Sequence, residues 1–251
     1  MPDLLSGVLA TPGLVWLALT FLVAGLVRGF TGFGTALIFM PVGALFLPVS
    51  DAIALVMISG MITWPLIVPR ALREADKREV TVLAVAAVAL APLGVWVLGW
   101  ADRELLRWGV AAAAALTLAA LISGWRYQGR VRPAGLVLIG AAAGVLGGTT
   151  GLTGPPVILF YLAGQLGAAV VRANTILFLA LLDLGIVANL VLQGRLGWSI
   201  LPLAVLLALP YGAGIMSGQR LFHPERERAY RRLAYAVIGG AILTGLPLFD
   251  G

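Results

Sequence analysis

The residues able to do chemistry in this chain gather at two places. Gly29-Phe30-Thr31-Gly32-Phe33-Gly34-Thr35 interrupts one long apolar run, and 119 positions later Gly148-Thr149-Thr150-Gly151-Leu152-Thr153-Gly154, followed by Pro155 and Pro156, interrupts another. Glycine removes the Cβ penalty where a chain leaves a helix and lets a ligand approach main-chain N–H groups, while threonine adds hydroxyl donors at similar depth. A helix beginning just after each break points its free N–H groups and positive dipole end into the gap, an arrangement suited to an anion. Pro155 fits such a start, because proline is favoured in a first helical turn, where its missing N–H would be unpaired anyway. Arg28 stands beside the first break, and its planar guanidinium can hold a sulfonate, sulfite or carboxylate through paired hydrogen bonds. Gly147 takes the matching place at the second break. The expected substrate-binding set is therefore Arg28, Gly29, Thr31, Gly32, Gly34 and Thr35, with Thr149, Thr150, Gly151, Thr153, Gly154 and Pro155. Two plainer readings stand beside it: small residues also let helices pack closely, and Arg28 can snorkel to an interface or cap carbonyls.

A second group lies on the longer apolar segments. Asp183, in the middle of one of them, is the candidate for ion coupling or for pairing with Arg28; its alternative is a structural hydrogen bond to a neighbouring helix. Asn174, Asn189, Gln193 and Tyr161 are polar groups able to line a path, or to bond neighbouring helices together. Arg172 reads as a topology anchor ahead of a substrate guide.

The elements that position these residues follow from composition. With 61% hydrophobic residues, 11% charged and a mean hydropathy of +1.02 over 251 residues, the chain cannot present a soluble surface. It contains no cysteine and a single histidine, His223, so disulfides, thiol chemistry and multi-histidine metal sites are excluded. No metal and no cofactor is expected. A net charge of +6 suggests nucleic acid at first sight, but the basic residues sit in short runs between apolar segments, where membrane topology explains them, and no nucleic-acid partner is expected. Asp3, with no Lys or Arg before the first apolar run, argues against a signal peptide.

Apolar segments run over 13–28, 35–48, 50–69, 80–100, 104–124, 134–147, 155–166, 171–193, 198–217 and 230–248. A span needs about 20 residues. The short segments flanking each break are thus expected to be half-helices of two hairpins, 13–48 and 134–166, and the six longer ones to be spans, three per half. Ala91-Pro92-Leu93-Gly94 resembles Leu209-Pro210-Tyr211-Gly212 at a spacing of 118, extending the repeat beyond the hairpins. The halves, 1–125 and 126–251, divide near Trp125 to Pro133. Basic loops at Arg70, Arg73, Lys77 and Arg78 and at Arg126, Arg130 and Arg132 share one side, the cytoplasm. In the second half, Arg220, Arg226, Arg228, Arg231 and Arg232 fall in the loop whose first-half counterpart carries only Arg103 beside Asp102 and Glu104. Equivalent loops then face opposite sides, which makes the repeats inverted and puts both termini outside. The expected fold is an all-α polytopic membrane protein of two inverted-topology repeats, each a broken-helix hairpin plus three transmembrane helices.

Val27-Arg28-Gly29-Phe30-Thr31-Gly32-Phe33-Gly34 followed by Pro41, together with Gly148 to Pro156, resembles the TauE/SafE sulfite exporter family over nearly the whole chain. The resemblance implies a bacterial inner-membrane carrier for sulfite, sulfoacetate or related small organic anions, with Gly32, Gly34, Gly151 and Gly154 in the family's glycine motifs. The function expected is secondary transport, with export favoured, by alternating access at a midplane site between the breaks. No Gly-rich Lys-Ser/Thr loop for ATP is present. The alternatives are an anion-selective channel, or an importer coupled to protons or Na+; with no Cys, one His and one mid-span Asp, the groups for a membrane enzyme are scarce. Besides the anion, the partners are the lipid bilayer and, left open, further copies of the chain.

Overall fold

The computed structural model describes residues 7–124, 133–163, 167–221 and 227–249. The expected division between halves, and Asp3, Arg126, Arg130, Arg132, His223 and Arg226, lie outside these. Among the described residues the chain is helical and has no strand. Eleven α-helices follow in order: α1 (Leu14–Thr31), α2 (Thr35–Phe46), α3 (Val49–Ile62), α4 (Trp64–Glu74), α5 (Lys77–Leu98), α6 (Arg103–Ser123), α7 (Pro133–Thr150), α8 (Pro155–Ala163), α9 (Ala168–Leu192), α10 (Ile200–Leu221) and α11 (Glu227–Gly245). The starts are set by local chemistry. Asp76 caps α5 by accepting from the Arg78 and Glu79 N–H groups, and Asp102 caps α6 by accepting from Leu105 N–H.

Six helices, α1, α5, α6, α7, α9 and α10, are long and apolar enough to cross a bilayer, so the protein is an integral membrane protein of multiple spans. This corrects the expectation that the arm before each break is a half-helix: α1 and α7 are 18 residues each, and only α2 and α8, at 12 and 9 residues, are short. A second correction concerns the expected span 50–69. It bends by 71° between α3 and α4. Pro65 in the first turn of α4 has no N–H to give to the preceding helix, and the Thr63 hydroxyl instead donates to the Gly60 carbonyl at 2.7 Å. α11 is not among the crossing helices; Arg231 and Arg232 lie near its start.

Two helix pairs form the frame. α1 lies along α10, where a Cβ on Gly25 or Gly29 would run into the backbone of Tyr211, Ile215 and Gly218. α7 lies along α5 in the same manner, with Gly140, Gly144 and Gly148 against the backbone at Leu83, Ala87, Ala91 and Gly94. In lipid there is no hydrophobic drive between helices, so close backbone approach at small residues supplies the attraction. Each pair joins the first 124 residues to the stretch after 133. In these contacts Gly94 sits where Gly218 sits in the other pair, not where Gly212 does; the Pro-Gly likeness noted in the sequence is therefore six residues out of structural register. Between the pairs runs α9, the longest helix at 25 residues, against α3, α4 and α5.

Candidate functional site

The first break is shorter than the glycine-rich stretch around it. α1 continues through Thr31, so Gly29 and Phe30 are helical, and the chain leaves the helix only at Gly32-Phe33-Gly34. Gly32 and Gly34 take left-handed φ values of 82° and 100°, which side chains other than glycine rarely adopt. The Thr31 hydroxyl secures the turn: it lies 2.8 Å from the Val27 and Phe33 carbonyls and accepts from Phe33 N–H at 3.2 Å. The second break mirrors this economy. Gly151, at φ 76°, closes α7 with its N–H on the Gly147 carbonyl at 2.8 Å, and the Thr150 hydroxyl accepts from Leu152 N–H at 3.3 Å. Thr31, Gly32, Thr150 and Gly151 thus shape the turns.

Between the breaks lies a buried cavity of about 30 Å³, lined by 33–37 from the first, by Thr153, Gly154 and Pro155 from the second, and by Arg28 and Asp183. Val56 and Leu179 contribute apolar wall. By that measure the space holds about two waters, so a small anion would enter it largely stripped of its hydration shell. The first turns of α2 and α8 both end in this space, and α2 brings the N–H groups of Thr35, Ala36 and Leu37, which have no helical acceptor four residues back.

Arg28 is 7% exposed in the last turn of α1. Its Nη1 makes a long hydrogen bond to the Thr35 hydroxyl at 3.4 Å, the Tyr211 hydroxyl is also in its reach, and its Nε has no described partner. Thr35 in turn shares a 2.8 Å hydrogen bond with the hydroxyl of Tyr211 on α10. Tyr211 is fully buried and held by Phe21, whose ring meets it edge-on at 5.4 Å. On the other side Asp183, 4% exposed, turns its carboxylate toward Gly60 of α3. Arg28, Tyr211 and Asp183 lie within electrostatic reach of one another, yet Arg28 and Asp183 form no direct ion pair. A buried guanidinium and a buried carboxylate left apart are costly in a membrane interior, and each keeps bonding capacity to offer.

Other expected site residues lie elsewhere. Gly29 and Gly148 are contact glycines of the helix pairs, and Thr149 bonds the Val145 and Gly94 carbonyls on the α5 side. Asn174 joins the start of α5 to α9: its Oδ1 accepts from Asp76 N–H at 2.8 Å and its Nδ2 donates to Glu79 at 3.2 Å, with Tyr161 beside them. Nine residues, about 14 Å along α9, separate Asn174 from Asp183. Asn189 bonds within its own helix, to the Gly185 carbonyl, and Gln193 bonds the Pro92 carbonyl. Two further residues reach the region of the first break. Arg172 reaches across from α9 to donate to the Gly29 carbonyl at 3.0 Å, neutralising the negative end of α1 beside the break. Tyr211 appeared only as part of a repeat likeness; a hydroxyl between Pro210 and Gly212 in mid-span was the signal available.

Crossing helices around a cavity that holds one guanidinium and one carboxylate, with two short helices starting at its edge, define a multi-span membrane protein. The chain belongs to the sulfite exporter TauE/SafE family, whose model matches residues 17–245. Membership places it in a family of membrane transporters, with sulfite as the anion the family name gives. No curated protein and no solved structure matches the chain.

Proposed function

We propose that the protein is a secondary carrier that exports sulfite or a closely related small sulfur oxyanion through the cavity between the two helix breaks. The observation that carries this reading is the buried Arg28 guanidinium, which faces that cavity with a long hydrogen bond to Thr35 and an Nε that has no described partner. The anion takes its charge-assisted bonds from Arg28, a hydroxyl from Thr35 and main-chain N–H groups from the start of α2; Tyr211 orients Thr35. Thr153, Gly154 and Pro155 close the other wall. The halves 1–125 and 126–251 act as inverted repeats that rock about the α1–α10 and α7–α5 contacts, exposing the site alternately. The exchanged glycine contacts support this arrangement. The setting is a bacterial inner membrane with both termini in the periplasm.

An inside-negative potential drives anion export by about 2.3 kcal/mol per charge per 100 mV, so no second ion is required. Asp183 favours a second reading, proton-coupled movement. An anion at Arg28 is repelled by an ionised Asp183 across a cavity this small, and protonation of Asp183, with Arg28 and Tyr211 facing it, removes the repulsion.

The test is sulfite efflux from proteoliposomes under an imposed potential, with calorimetric titration of the same purified variants. Arg28→Ala is expected to weaken sulfite binding on the order of a hundredfold and to abolish efflux. An unchanged dissociation constant removes Arg28, and with it the proposed site. Asp183→Asn is expected to tighten binding about tenfold and flatten its pH dependence; pH dependence surviving intact in that variant rejects the coupled reading. Efflux that is steady at single-molecule currents far above a carrier's turnover would make the protein a channel.

A further inference from the structure

A larger cavity lies farther along the same helices. Val56, on the wall of the buried cavity, stands seven residues after Val49 at the start of α3, about 10 Å along the axis. Beside that start is an open cavity of about 340 Å³, bounded by Ser50, by Leu98, Ala101, Arg103 and Leu106 around the α5–α6 turn, and by Arg195 in the α9–α10 turn. Because α5 is of crossing length, this cavity is at the membrane face opposite Lys77 and Arg78.

The cavity holds two guanidinium groups and no carboxylate. Arg103 directs one nitrogen to the Ala44 and Leu45 carbonyls, at 3.4 and 3.2 Å, and keeps the rest of its fork free of described partners. Arg195 lies flat on Gly99, where any Cβ would strike the guanidinium, and its Nε is buried without a partner. Neither forms an ion pair with a described residue. Of the neighbouring acids, Asp102 caps α6 through Leu105 N–H at 2.7 Å, Asp51 lies against Gly197 in the same α9–α10 turn without lining the cavity, and Glu104 is within electrostatic reach of Arg107. Two guanidinium groups on one cavity suit an anion placed between them, which would take charge-assisted bonds from both.

We infer that this cavity is a second anion site, an outer vestibule in which Arg103 and Arg195 hold the transported oxyanion at the end of its path. The inference rests on the transport reading above for its ligand, and on the cavity alone for its place. Its greater volume admits an anion that keeps part of its hydration shell, so the vestibule binds weakly, in a manner sensitive to ionic strength, whereas the buried cavity selects.

Titration of the purified full chain with sodium sulfite, in potassium gluconate at low and high ionic strength, tests it. The wild type is expected to take up two sulfite ions, the weaker losing about tenfold in affinity at high ionic strength. Arg195→Gln and Gly99→Ala are each expected to remove the weaker event and keep the tighter one, while Arg195→Lys restores part of it. Gly99 has a φ of −85°, which alanine adopts freely, so Gly99→Ala displaces the guanidinium without removing its charge or straining the chain. Arg28→Ala removes the tighter event only. A single event in the wild type, or a weaker event untouched by Arg195→Gln, overturns the vestibule and leaves the carrier reading standing. A weaker event lost with Arg195→Gln beside a tighter one indifferent to Arg28→Ala does the reverse.

Discussion

Around the first helix break stand Arg28, Thr35 and Tyr211; at the places that answer to them around the second stand Gly147, Gly154 and Ala87. The backbone plan is shared, with an 18-residue helix, a glycine of left-handed φ and a short helix starting at the cavity edge in both. What hangs on that plan is not. α2 opens with three main-chain N–H groups, whereas α8 opens with Pro155 and Pro156, which have none to give. A single anion needs one set of donors, and a second guanidinium at the same depth would add repulsion and another desolvation cost. Both breaks bound the cavity, and on the proposed reading only the first brings the charged and hydroxyl donors.

The largest expected effect comes from forcing the two breaks to be alike. A Cβ at Gly147 already meets Thr153 Cγ2 at 2.6 Å and Ile186 Cδ1 at 3.1 Å, so Gly147→Arg should destabilise the protein by about 3 kcal/mol or more, seen as a lower melting temperature and reduced monodisperse yield. A well-folded Gly147→Arg protein that binds a second sulfite at the second break would show the sides to be interchangeable. Next in size is Arg28→Lys, which keeps the charge and loses the planar fork. Sulfite affinity should fall about 10- to 30-fold by calorimetry, and a value equal to wild type would mean that only charge matters there.

Smaller losses, roughly two- to tenfold, are expected from Thr35→Val and from Tyr211→Phe. The double variant should lose much less than the product of the two, because the pair shares one hydrogen bond; full additivity would remove Tyr211 from its orienting role. The smallest change is expected at the second break. Pro155→Ala and Pro156→Ala restore one N–H each, and sulfite affinity should move by less than about twofold. A tenfold gain would make the second helix start a donor surface in its own right.

Much of this arrangement was readable from residue order, because lipid punishes any departure from helix and so concentrates glycine where the chain must turn. Arg28 and Asp183 stood out for the same reason, as charges in runs that otherwise exclude them. Three things were not readable. Gly29 and Gly148 looked like part of the breaks, but a glycine that turns the chain and one that admits a neighbouring helix are the same letter. The bend at Thr63 depended on whether Pro65 would continue a span or end it. Tyr211 mattered only because α10 happens to lie against α1, and nothing local to 211 names its partner 176 positions away.

Residue order alone determined that this protein lives in a bilayer, that its chain breaks twice beside hydroxyl groups and once beside a cation, and that a family of anion carriers shares its pattern. Those properties follow from local free energies of burial and backbone bonding, which each segment carries with it. The tertiary structure decided which helices pair through their glycines, that the two breaks open on one cavity, and that Arg28 and Thr35 stand together on its wall with Tyr211 bonded behind Thr35. Such contacts arise between segments far apart in sequence, where shape and packing, rather than any single residue's preference, select the neighbour.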